Sequence, residues 1–147
     1  MATRTEDRAL IAWGNAQPKS VTGDSIWRLD CYREALFLLT LAQSDMESGL
    51  TAAAPRASKD QLLSALGSIG ANIAEGYGRA TNADRARFFS YSLGSAREAV
   101  VWYQAVLPRG NTDPLNDRLD RLARLKRMLL GLLTRIREKS RKPFESW

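Results

Sequence analysis

The chain has 147 residues, 44% of them hydrophobic and 26% charged, the proportions of a globular protein rather than a disordered one. It contains no histidine and one cysteine, Cys31. That excludes histidine-based acid–base work, Ser-His-Asp and Cys-His nucleophilic schemes, and the usual zinc and iron ligand sets. A net charge of +6 points toward acidic partners, nucleic acid first.

Carboxylate-only chemistry, such as an oxygen-ligated magnesium site, stays open on composition alone. No apolar run approaches the roughly 18 to 20 residues that a membrane span needs. Glu6 and Asp7 near the N-terminus, with no apolar run before Gly14, do not fit a secretory signal. A lone cysteine suits a reducing compartment, so the expected location is the cytoplasm.

Residues 1–23 lack sustained periodicity and hold Gly14, Pro18 and Gly23. They read as a flexible or loosely docked arm that Trp13 could pin to the body. The first long helix is expected from an N-cap at Asp24 to about Glu47. Its bundle-type seam is Leu29, Tyr32, Leu36, Leu39, Gln43 and Met46, with Cys31 beside it as an inert packing residue.

After a loop around Gly49 and Pro55, Ser58 and Gln61 form a capping-box pattern that opens a second helix. Its apolar stripe is Leu62, Leu66, Ile69, Ile73 and Tyr77, and glycine near Gly76–Gly78 is expected to end it in a left-handed turn. Gly70 inside this helix costs about 1 kcal/mol against alanine, which suggests a neighbouring backbone close by.

Thr81 or Asn82 then caps a third helix running to about Val106. Phe89, Leu93, Ala96, Val100, Tyr103 and Leu107 form one seam, and Phe88, Tyr91, Ser95, Glu98 and Trp102 form a second beside it. The second seam reads either as contact with a neighbouring helix or, given its large aromatics, as a surface that packs on another subunit.

Asp113-Pro114 starts the fourth helix, which extends to about Ser140 with Leu115, Leu119, Leu122, Leu125, Leu129, Leu133 and Ile136 inward. Arg121, Arg124, Arg127 and Arg135 are expected to face outward, partly offset by Asp117, Asp120 and Glu138. Such a face is either solvated charge with helical pairing or a binding surface. Lys139, Arg141 and Lys142, interleaved with Phe144 and Trp147, extend it into a basic, aromatic tail over 141–147 suited to RNA or to a partner groove. Four helices with short connections predict an all-α, antiparallel up-down four-helix bundle over 24–140.

A polar stripe shares the second helix with its apolar one: Ser68, Asn72, Glu75 and Arg79. With Arg87 and Glu98 of the third helix it makes one polar set; folding that helix back around Gly76–Gly78 would put Arg79 and Arg87 near the turn, with Glu75 within reach of both. Two carboxylates among arginines, with no base poised near neutrality, are poor catalytic equipment but a sensible network for fixing helix register or a subunit contact. The Gly-Tyr-Gly-Arg run stands at the wrong end of a helix for a phosphate loop. No catalytic, cofactor or metal residue is assigned.

The same residues carry a resemblance. Ser68-Ile69, Ala71-Asn72-Ile73-Ala74-Glu75-Gly76 and Gly78-Arg79, then Arg87-Phe88, Gly94-Ser95, Glu98 and Met128-Leu129 with Gly131-Leu132, resemble the four helix bundle protein family. These proteins are also called 23S ribosomal RNA intervening-sequence proteins. The likeness covers roughly Ile26 to Arg137, with one departure: Gly70 stands where members usually have proline.

The resemblance implies a four-helix bundle that assembles into a ring-like homo-oligomer, often a pentamer, with no established enzymatic activity. The family is also similar to accessory proteins of diversity-generating retroelements, basic bundles that bind a reverse transcriptase and nucleic acid. Two readings follow: a basic, oligomeric scaffold for RNA or a nucleic-acid-processing enzyme, and a protein-interaction module with no nucleic-acid role. Neither calls for a cofactor, a membrane or a small-molecule substrate.

Overall fold

Apolar residues spaced by three and four along four long stretches drive helix formation, and each stretch buries that stripe against its neighbours. The computed structural model describes residues 7–110 and 112–141, and among these there are α-helices and one 3-10 turn but no strand. The long helices are α3 (Asp30–Glu47), α4 (Arg56–Tyr77), α5 (Asn82–Val106) and α6 (Asp113–Arg141); two short ones, α1 (Arg8–Asn15) and α2 (Lys19–Thr22), precede them.

Consecutive long helices pack on one another, α4 with α5 most extensively, and α3 closes against α6. Arg118 of α6 meets Asp45 late in α3 while Arg124 meets Glu34 early in it, so these two helices run antiparallel. The core gathers Leu38, Leu62, Leu66, Ile69, Ile73, Tyr103, Leu122, Leu125 and Leu129, all fully buried. Tyr103 donates its hydroxyl to the Leu38 carbonyl at 3.4 Å, and Ser92 donates to the Ile69 carbonyl at 2.9 Å. Both bonds satisfy a buried hydroxyl while tying α5 to a neighbour.

The stripes expected for α4, α5 and α6 are the buried ones, with Val100, Leu119 and Ile136 half-buried at their edges and Tyr77 exposed. Tyr77 instead hydrogen-bonds Ser25 Oγ at 2.8 Å. The Thr81 hydroxyl caps α5 by accepting the Asp84 N–H at 3.2 Å.

Several local expectations change. On α3 the buried series is Cys31, Ala35, Leu38, Ala42 and Asp45, one position behind the predicted seam, whose Leu29, Tyr32, Leu36, Leu39 and Met46 are only partly buried. Small residues at 35 and 42 let neighbouring helices approach, so the larger leucines flank the contact. Asp24 caps the 3-10 turn Ser25–Arg28, accepting the Ile26 N–H at 3.0 Å; extended backbone at Leu29 separates that turn from α3.

Pro55, with φ −60° and ψ 143°, precedes α4, which leaves Ser58 inside the first turn rather than at its cap. At the other end of α4, Gly78 has φ −80°, right-handed rather than left-handed. The chain turns back through the short connection between Gly78 and the Thr81 cap of α5 without any residue of positive φ. The glycines with positive φ are Gly49 (82°) and Gly110 (102°), both in connections. Near Gly70 the approach is by side chains of α3: a Cβ there would lie 3.6 Å from Leu36 Cδ2 and 3.8 Å from Ala35 Cβ.

The expected arm is helical over α1, which docks on α3, and over α2, which packs on the 3-10 turn; its residues 1–6 lie outside the described residues. Asp7 caps α1 by accepting the Leu10 N–H at 3.1 Å, and the Trp13 ring lies 5.3 Å from Phe37 and 5.9 Å from Trp27. Trp13 is the pin that the sequence reading placed there. Cys31 is 2% exposed, and burial pushes its thiol up to about 11. A thiol reagent at neutral pH is therefore expected to leave native Cys31 unmodified and to label it stoichiometrically once the chain is unfolded in urea. Rapid labelling of the folded protein would contradict this packing.

Candidate nucleic-acid and assembly surfaces

The polar stripe of α4 ends in an ion pair between Glu75 and Arg79 one turn later. The Arg79 guanidinium lies 4.6 Å from the centre of the Phe88 ring, and that of Arg87 lies 5.1 Å from the same ring. Phe88 meets Tyr91 edge-on at 5.8 Å. Two arginines thus share one aromatic at the α4–α5 turn, an arrangement that the ring quadrupole favours. Gly76 makes it fit: a Cβ there would come within 3.0 Å of Phe88 Cβ and of Phe89 Cε1.

The rest of the anticipated network divides into local pairs. Arg87 bonds Asp84 at 3.2 Å rather than Glu75. Asn72 donates to the Ser68 carbonyl at 2.9 Å, and Glu98 accepts from Trp102 Nε1 at 3.2 Å. Each partner lies three or four residues away on the same helix, where pairing orders fewer groups than a contact between helices. Glu75 and Glu98 share no contact, so these two do not form a carboxylate pair.

The exposed residues of α5 include Arg87, Tyr91, Gly94, Glu98 and Val101, with Tyr91 52% and Val101 60% exposed. Phe88, Ser95 and Trp102 of the predicted seam are half-buried, and Trp102 packs toward the core. The predicted seam is therefore open at Tyr91 and Glu98 and partly covered at Phe88, Ser95 and Trp102, with Val101 exposed beside it.

The arginines of α6 fall into two groups. Arg121, expected outward, is buried. Its Nη1 donates to Asp7 Oδ2 at 2.7 Å and Glu34 Oε1 at 3.0 Å, its Nη2 to Asp7 Oδ1 at 3.2 Å, and its Nε to Asp117 Oδ2 at 3.1 Å. The guanidinium also lies 4.7 Å from the centre of the Phe37 ring. Half-exposed Arg124 donates to Asp7 at 3.2 Å and to Glu34 at 3.1 Å. Arg118 grips Asp45 with two bonds, of 3.0 and 2.7 Å.

Burial works against the Arg121 charge, but its bonds to Asp7 and Glu34 outweigh that and hold the cation more firmly than in free arginine. Burial likewise raises the Asp7 carboxyl, and the Arg121 and Leu10 hydrogen bonds reverse it, leaving Asp7 below the usual carboxylate value. Glu34, Asp45 and Arg118 were not singled out from sequence. The available signal was two acids about three turns apart on one face of α3, opposite arginines on α6.

Beyond Arg124 the balance changes. From Lys126 to Arg141 the helix carries Lys126, Arg127, Arg135, Arg137, Lys139 and Arg141 against Glu138 alone. Among the described residues, none of these six cations is in an ion pair, and Arg127, Arg135, Arg137, Lys139 and Arg141 are exposed. Lys142, Phe144 and Trp147 lie outside the described residues. Arg28 shares a groove of about 310 Å³ with Arg135, adding a cation from the 3-10 turn. No helix among the described residues is long and apolar enough to cross a membrane.

Comparison with curated proteins gives no match. The family model for the 23S rRNA-intervening sequence protein matches residues 28–131, from the 3-10 turn through most of α6. Most of the chain lies within that match, including the Glu75–Arg79 motif and the face of α5, and the chain belongs to the 23S rRNA-intervening sequence protein family.

Proposed function

We propose that this protein is a non-enzymatic, homo-oligomeric bundle that presents the C-terminal half of α6 to RNA, directly or beside a nucleic-acid-processing enzyme. The observation that carries the reading is the unpaired charge from Lys126 to Arg141, where six cations face one carboxylate. Neutralising phosphates with such cations releases counterions and gives sequence-tolerant binding. The family name supports RNA as the polyanion. The exposed Tyr91 and Val101 on α5 support self-association. A pentamer is the state that the family resemblance favours, and the cytoplasm is the expected location.

The test is fluorescence anisotropy with a labelled 20-nucleotide RNA of mixed sequence, titrated at several salt concentrations. Arg135→Gln/Arg137→Gln/Lys139→Gln is expected to bind at least 10-fold more weakly at low salt, with the salt slope reduced by about 2. Unchanged affinity and slope would remove α6 as the contact. The exposed apolar face also supports the second reading, a protein-interaction module. Assemblies found by light scattering whose 260/280 nm absorbance ratio is that of clean protein, together with no RNA binding, would favour it.

A further inference from the structure

Helix α1 lies outside the stretch that matches the family model, and its attachment is thin: none of its residues is buried. Trp13 holds one end. At the other end the Asp7 carboxylate sits in a fork of two arginines, with both oxygens addressed by Arg121 and one also by Arg124. Guanidinium groups bind phosphate with the same paired geometry as carboxylate. Arg8 and Arg127 line the same cavity, about 570 Å³ and open to solvent.

We infer that this fork is a phosphate site that Asp7 occupies in the free protein, so that a phosphodiester of bound RNA displaces Asp7 and releases α1. Asp117 and Asp120 also line the cavity, and Glu34 bonds both arginines from beneath. The site therefore exchanges one negative charge for another rather than adding one. Asp7 is the carboxylate that yields: its side chain is 21% exposed, against 1% for Glu34, and it rides on a weakly seated helix. Arg124 and Arg127 stand about one turn apart and lead into the stretch from Lys126 to Arg141, so an RNA strand on that stretch would reach the fork. The inference rests on the RNA reading for its natural ligand, but the site can be tested without it.

The test uses the full chain, amide hydrogen exchange over α1, and two probes at fixed ionic strength: the mixed-sequence RNA and inorganic tripolyphosphate. RNA is expected to accelerate exchange from Leu10 to Asn15. Asp7→Asn is expected to bind RNA about 3- to 10-fold more tightly at low salt, with a salt slope steeper by about 1. Adding Arg124→Gln should cancel that gain. If Asp7→Asn loosens α1 while affinity and slope stay at wild-type values, Asp7 is only a structural cap and the proposal fails. If RNA does not bind, saturable loosening of α1 by tripolyphosphate that is lost in Arg124→Gln sustains the phosphate site while the RNA reading falls. No loosening by either probe overturns the site, and RNA binding that still depends on Arg135 and Arg137 would then leave the RNA reading in place.

Discussion

Arg121→Met is expected to destabilise the protein by about 3 to 4 kcal/mol, because removing one partner strands a buried charge. Methionine keeps an aliphatic stem but removes the guanidinium from over Phe37 and leaves Glu34, 1% exposed, with Arg124 as its remaining cation. For a chain of this length the loss corresponds to a melting point lower by about 10 °C. Arg127→Met, on the exposed face one or two turns along, should fall within about 0.5 kcal/mol of wild type. The double variant Arg121→Met/Glu34→Leu should recover more than half of the loss, since an apolar pair can replace a buried ion pair at little cost. Urea midpoints at constant slope measure all three. An Arg121→Met midpoint matching that of Arg127→Met would mean that the network is solvated after all.

The contrast between those two arginines shows where the sequence was legible and where it was not. Helices α4, α5 and α6 declare themselves because a leucine, isoleucine or aromatic marks most turns of their buried face. On α3 the buried face has Leu38 and Phe37 as its only large apolar residues, beside small Cys31, Ala35 and Ala42 and charged Glu34 and Asp45. Ranking residues by apolar size therefore selects the flank, one position away. Arg121 adjoins Leu122 at the border of the α6 stripe, and spacing cannot say whether a long side chain there turns inward or out. What turns it inward is Glu34 on α3 and Asp7 at the start of α1, contacts 87 and 114 residues away in sequence. Helix α1 itself has eight residues, too few for a period to stand out. The motif was legible as a set of residues but not as a set of contacts. Glu75, Arg87 and Glu98 each find a local partner before reaching across the turn.

Two glycines of α4 are expected to answer alanine substitution with opposite signs. Both sit inside a helix, where glycine costs about 1 kcal/mol against alanine through backbone freedom in the unfolded chain. At Gly70 the new methyl would meet Leu36 Cδ2 at 3.6 Å and Ala35 Cβ at 3.8 Å, ordinary van der Waals contact. Gly70→Ala should therefore stabilise by about 0.5 to 1 kcal/mol. At Gly76 the methyl would meet Phe88 Cβ and Phe89 Cε1 at 3.0 Å and Phe89 Cδ1 at 3.1 Å. One of those atoms is fixed to the α5 backbone and the ring is 4% exposed, so the helices must part. Overpacking of this kind costs about 1 to 3 kcal/mol, enough to outweigh the gain in helix propensity. Gly76→Ala should thus lower the urea midpoint where Gly70→Ala raises it, and a stabilising Gly76→Ala would mean that α4 and α5 do not approach this closely. The same displacement would move Phe88 under Arg79 and Arg87. If that cluster belongs to the assembly surface, light scattering should show Gly76→Ala dissociating at protein concentrations where Gly70→Ala stays associated.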